Sequence, residues 1–102
     1  MSNSNQTAAI ENLAATIGEN VYIDVAKWHL YLSDAHLHTV VAEKAYTLLE
    51  SNSITEANVL ALLADIPVKL GGGKMELSLK DLIPMQSQIK LIDILEEYQG
   101  KF

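Results

Sequence analysis

The chain contains no cysteine and no arginine, only two prolines, and few aromatics: one Trp, four Tyr and one Phe. Without cysteine there can be no disulfide, no thiolate metal site and no cysteine nucleophile. Without arginine the chain lacks the planar fork that reads phosphates and guanines in two-point fashion. With a net charge of −6, that absence argues against nucleic-acid binding, which rests on a basic footprint. No apolar run approaches the ~18 residues that a membrane span needs. The Ser/Asn/Gln-rich start carries no basic residue and no apolar stretch, so it does not read as a signal peptide. The expectation is a cytoplasmic protein.

The 102 residues, 49% of them hydrophobic, suffice for one domain with a core built from Leu, Ile, Val and Ala. Residues 1–7 read as a flexible tail, and 8–102 as a single α+β domain of three to four helices and one short antiparallel hairpin. Ile10, Leu13, Ala14, Ile17, Val21, Val25, Trp28 and Leu32 recur in steps of three and four, which predicts a helix over 8–32 started by Thr7. Gly18 interrupts it at a cost of about 1 kcal/mol relative to Ala, a point where it can kink or split. A strand is the competing reading at Trp28-His29-Leu30-Tyr31-Leu32, where apolar and polar residues alternate and β-branched and aromatic residues dominate.

Ser33-Asp34 reads as a cap for a helix over 35–50, with Leu37, Val40, Val41, Ala45, Leu48 and Leu49 inward. Ser53-Ile54-Thr55-Glu56 has the form of a capping box. The helix after it carries Val59, Leu60, Leu62, Leu63 and Ile66 and stops at Pro67. Val68-Lys69-Leu70 and Lys74-Met75-Glu76-Leu77-Ser78-Leu79 alternate around Gly71-Gly72-Gly73, which predicts the hairpin. Asp81-Leu82-Ile83-Pro84 reads as a turn. A last helix to Gln99 follows, with Met85, Ile89, Ile92, Leu95 and Tyr98 inward and Gly100 at its end.

Three strings carry a resemblance. Gly18-Glu19-Asn20-Val21-Tyr22-Ile23-Asp24-Val25-Ala26-Lys27-Trp28-His29-Leu30-Tyr31-Leu32-Ser33-Asp34-Ala35, Ile66-Pro67-Val68-Lys69-Leu70-Gly71-Gly72-Gly73 and Leu95-Glu96-Glu97-Tyr98-Gln99 resemble blocks of a small, uncharacterised cyanobacterial protein family, a domain of unknown function. The resemblance covers nearly the whole chain. It implies a photosynthetic bacterial setting and an intracellular protein, and it supplies no activity, cofactor or catalytic residue.

Among chemistry-bearing residues, Asp34 and His38 are four apart and would share a helix face, with His36 between them. The H-E-x-x-H spacing is absent, so cap and surface roles are preferred and no metal is expected. Gly71-Gly72-Gly73-Lys74 departs from the phosphate loop G-x-x-x-x-G-K-[ST], because Met75 follows the lysine and a strand follows the glycines; a plain turn is the better reading. Lys69 and Lys74 read as charges that guard a strand edge. Glu96 and Glu97 splay apart on a helix. No catalytic or cofactor-binding residue can be named.

The aromatics Tyr22, Trp28 and Tyr31 concentrate in one segment. Trp28 falls on the helical stripe, whereas Tyr22, Ile23 and Leu30 fall off it. A helix apolar on several sides must be covered by something, and a domain this small has little room to cover it. Tyr22, Ile23, Leu30 and Tyr31 are therefore the candidate interaction surface. The expectation is a non-catalytic interaction or assembly module that binds a protein partner or itself as a homodimer. The alternatives are a small-ligand or pigment-binding module, with its pocket between helices and hairpin, and a small enzyme without a recognisable motif.

Overall fold

The computed structural model describes residues 2–25, 28–70 and 73–101; the side chains of residues 2–5, Val25, Trp28 and Leu70 are also outside the description. The expected inward placement of Trp28 and Val25, and the turn at Gly71 and Gly72, therefore lie outside the described residues. The elements are α1 (Ser2–Asn20), β1 (Tyr22–Val25), β2 (Trp28–Tyr31), α2 (His38–Glu50), α3 (Glu56–Ala64), β3 (Pro67–Leu70), β4 (Met75–Ser78), α4 (Leu79–Leu82) and α5 (Met85–Lys101). The α+β expectation holds, with two separate antiparallel hairpins, β1–β2 and β3–β4, where the sequence indicated one.

The extra hairpin comes from the segment expected to prolong the first helix. Helix α1 begins at Ser2, ahead of Thr7, and ends at Asn20, whose Nδ2 donates to Thr16 O at 2.8 Å. From Val21 onward β-branched and aromatic side chains prevail, and the chain turns into strands with Tyr22 opposite Tyr31, Ile23 opposite Leu30 and Asp24 opposite His29. Gly18 does not split the helix. It is the place where the turn after β2 rests on α1: a Cβ there would lie 2.9 Å from Ser33 Cβ and 3.1 Å from His38 Cβ. The Ser33 N–H donates to Gly18 O, and the Leu32 N–H donates to Val21 O.

Helix α2 begins at His38 rather than at residue 35. Residues 32–36 form turns, His36 adopts φ of 59°, and Leu37 precedes the helix without a side-chain cap, so Asp34 caps nothing. Helix α3 is capped by Thr55, whose Oγ1 accepts the Asn58 N–H at 3.1 Å, and not by Ser53. Ser53 serves through its carbonyl, which accepts from Asn58 Nδ2 at 2.8 Å. In the second hairpin Val68 and Leu77 pair on the inner face while Lys69 and Glu76 pair on the exposed face. Met75, which shares the alternation of Leu77 and Leu79, is 56% exposed. The expected turn at Asp81 is the short helix α4, capped by Ser78 Oγ.

The core joins Leu13, Ile17 and Val21 to Val41, Ala45 and Leu49, to Val59 and Leu63, and to Leu91 and Leu95. On helix α5 the expected inward face holds at Leu95, which is buried, and at Ile92 and Tyr98, which pack against the core, but not at Met85 and Ile89. Ser87, Leu91, Ile94 and Leu95 are buried, whereas Met85 and Ile89 are 74% and 53% exposed. Among the described residues Ser87 is the buried polar side chain, and its Oγ accepts the Tyr22 N–H at 2.8 Å. That bond satisfies a backbone donor at the start of β1 that would otherwise be left without a partner in the interior.

Candidate functional site

A two-stranded hairpin sends alternate side chains to opposite faces. In β1–β2 this rule divides the expected surface residues between two sides. Ile23 is 2% exposed and belongs to the core, and Leu30 packs against the core beside it. Ile23 has almost no surface to offer a partner, and Leu30 is half-buried. Tyr22 and Tyr31 lie on the other side, where Asp24 and His29 join them.

These four side chains form one cluster. The ring centroids of Tyr22 and His29 are 4.1 Å apart at an interplanar angle of 33°. Tyr31 stands nearly edge-on to both, at 5.9 Å from Tyr22 and 5.7 Å from His29. Such pairs contribute about 0.5–1.5 kcal/mol each beyond their buried area. His29 Nδ1 lies 2.9 Å from Asp24 Oδ1, and the two side chains are each 53% exposed. A carboxylate accepts this bond from the ring N–H and so fixes the ring's orientation. Tyr22 also reaches α5, where its hydroxyl donates to Gln86 Oε1 at 3.5 Å. The hairpin is thus held from below by Ile23 and Leu30 and from the side by Ser87 and Gln86. It presents a pre-ordered outer face on which Tyr31 remains 39% exposed.

His29 and Asp24 escaped the sequence reading because a helix would have split the four residues between opposite faces, His29 beside Tyr22 and Asp24 beside Tyr31. Their five-residue separation becomes a cross-strand pair only once the hairpin is known. The other sequence candidates stay apart. Asp34 and His36 are exposed in the turns, and His38 opens α2 with Nδ1 buried. Among the described residues no group of three or more His, Asp or Glu side chains is placed to hold a metal ion. Gly73 adopts φ of 90° and leads into a strand, the geometry of a turn rather than a phosphate loop. Glu96 and Glu97 are exposed on α5.

Two of the open grooves on the described surface lie beside α3. One of about 490 Å³ runs between α2 and α3, lined by Leu48, Ala61 and Leu62 with Lys44, Thr47, Asn58 and Asp65 at its polar margins. Lys44 Nζ and Asp65 Oδ2 are 3.5 Å apart there. The other, about 250 Å³, lies between the end of α3 and the second hairpin.

Residues 10–98 match the family described as protein of unknown function (DUF3181). The chain belongs to that family. It is 50% identical over 95 residues to the "Thylakoid-associated protein slr0729" of Synechocystis sp. (strain ATCC 27184 / PCC 6803 / Kazusa), across 93% of this chain and 94% of the relative. No solved structure is significantly similar. This DUF3181 chain is therefore one of a cyanobacterial type whose function is not established, as the sequence blocks implied. Among its described residues no helix is long and apolar enough to cross a membrane.

Proposed function

We propose that this DUF3181 protein is a non-catalytic interaction module that works at the thylakoid membrane, with the outer face of β1–β2 as its contact surface. The observation that carries this reading is the ordered cluster of Tyr22, His29 and Tyr31 on an exposed hairpin face. Tyrosine contributes large contact area at low entropic cost and is enriched at binding hot spots. A thylakoid location is supported by the name of the Synechocystis relative. Attachment through a protein partner is favoured over direct adhesion to lipid, because the chain carries a net charge of −6 and anionic membrane surfaces attract polybasic segments. The cytoplasmic expectation becomes, on this reading, a peripheral position at the membrane's cytoplasmic side. The same face in a second copy is the homodimer alternative. A small ligand or pigment would have to sit between the helices and the second hairpin, where the groove of about 250 Å³ is open, and an open groove encloses little of such a molecule.

The test is co-sedimentation of the tagged protein with cyanobacterial thylakoid membranes, comparing Tyr31→Asp with Met85→Asp. Both place a charge on an exposed side chain. The expected result is release of Tyr31→Asp into the supernatant and retention of Met85→Asp. Retention of both, with the fold intact by circular dichroism, would remove the hairpin face from the reading.

A further inference from the structure

Three bonds fix which way the backbone of β1–β2 points. The Leu32 N–H donates to Val21 O, the Tyr22 N–H to Ser87 Oγ, and the Ala35 N–H to Tyr31 O. In an antiparallel ladder, opposite residues alternate between pairs that exchange both bonds and pairs whose N–H and C=O groups point away from each other. Ile23 and Leu30 are therefore a bonded pair, while Tyr22, Tyr31, Asp24 and His29 turn their backbone groups to the outer edges. The same alternation runs through β3–β4, where the Leu79 N–H donates to Ile66 O and Pro67, Lys69, Glu76 and Ser78 turn outward.

Most of these edges are guarded. Pro67 has no N–H to offer, Lys69 and Glu76 set charges on their edges, and Ser78 is engaged as the cap of α4. On β1 the Tyr22 N–H is taken by Ser87, and Asp24 carries a carboxylate. Prolines and charges at such positions keep other chains from pairing with a sheet. Strand β2 differs. Its outward residues are His29 and Tyr31, both exposed. The Tyr31 carbonyl is taken by the turn that follows. Among the described residues, the N–H groups of His29 and Tyr31 and the carbonyl of His29 have no hydrogen-bond partner. A row of unpaired strand groups is a template for one more strand, which would lie about 4.8 Å away.

We propose that the partner of this hairpin contributes an extended segment that pairs with the edge of β2 and makes a three-stranded sheet. The inference rests on β1–β2 being the contact surface and adds how the contact is made. Backbone groups supply the affinity, so the partner is recognised first by its extended shape. Every second side chain of the added strand stands beside His29 and Tyr31 on the outer face. An aromatic or β-branched residue there makes a favourable cross-strand pair.

The full chain is made with an ester in place of the Tyr31 amide, which removes the N–H and keeps the ring. A control carries the same ester at Lys69, the outward position of the second hairpin. Binding to cyanobacterial thylakoid membranes is read by co-sedimentation, with the fold checked by circular dichroism. The Tyr31 ester is expected to bind about two- to tenfold more weakly than the parent chain, and the Lys69 ester to bind as the parent does. His29→Pro removes the second donor and His29→Thr keeps it, so the proline variant is expected to bind more weakly than the threonine variant by a similar factor. Parent-like binding by the Tyr31 ester overturns the proposal, as does an equal loss in both esters. A mass of two copies without membranes, reduced to one copy in the Tyr31 ester, overturns it in favour of β2 pairing with itself. If the Tyr31 ester binds like the parent while Tyr31→Asp leaves the membrane, the added strand falls and the contact surface stands. If Tyr31→Asp stays on the membrane, the contact surface itself falls.

Discussion

The hydroxyl of Ser87 accepts the backbone N–H of Tyr22 across 65 positions of sequence, at 2.8 Å. This bond ties the first turn of α5 to the start of β1. Replacing Ser87 with Ala leaves that N–H without a partner at a site where Ser87 is 1% exposed. The expected cost is about 1–3 kcal/mol of unfolding free energy, read from urea denaturation. A loss well under 0.5 kcal/mol would show that the bond does not hold the hairpin.

Gly18→Ala tests the contact between α1 and the turn after β2. In an open helix this change gains about 1 kcal/mol. Here the added Cβ would meet Ser33 Cβ at 2.9 Å. Overpacking of this kind costs about 1–3 kcal/mol, so the variant is expected to melt below the parent chain. A higher melting temperature would contradict the close approach.

The capping of α3 separates two neighbouring hydroxyls. Thr55→Ala removes the acceptor of the Asn58 N–H and is expected to cost about 1 kcal/mol. Ser53 contributes to α3 through its carbonyl, which Ser53→Ala retains, so that variant should stay within about 0.5 kcal/mol of the parent. The opposite order would restore the Ser53 capping box.

The orientation of α5 is tested by a pair of truncations. Leu91→Ala empties a position that is 0% exposed and is expected to cost about 2–5 kcal/mol. Ile89→Ala, at 53% exposure, should cost about 0.5 kcal/mol or less. Equal costs would mean that Ile89 faces a core.

Where local signals were unmixed, the fold was legible in the sequence. The β3–β4 hairpin announced itself because its alternation surrounds a glycine run and starts at Pro67, just beyond the end of α3 at Ala64. The β1–β2 hairpin did not, for two reasons. Positions 21, 25, 28 and 32 keep helical spacing, and Ala26-Lys27 carries none of the Gly, Asn or Asp that mark tight hairpin turns. The apolar surplus at Ile23 and Leu30 was real, but it belongs to the core face of the hairpin. Of the four surface residues the sequence indicated, Tyr22 and Tyr31 lie on the outer face; Asp24 and His29 join them only through cross-strand pairing. The inward position of Ser87 on α5 was hidden because serine counts as polar in any hydrophobic pattern, and its bond to Tyr22 becomes visible only in the fold.

The most direct test of the contact surface is site-specific photo-crosslinking in a cyanobacterial cell, with benzoylphenylalanine placed at position 31 or at position 85. Both parent side chains, Tyr31 and Met85, are exposed, at 39% and 74%. The expected result is a discrete adduct to a thylakoid membrane protein from position 31 and none from position 85. An adduct from position 85 alone would contradict the hairpin face and move the contact to α5.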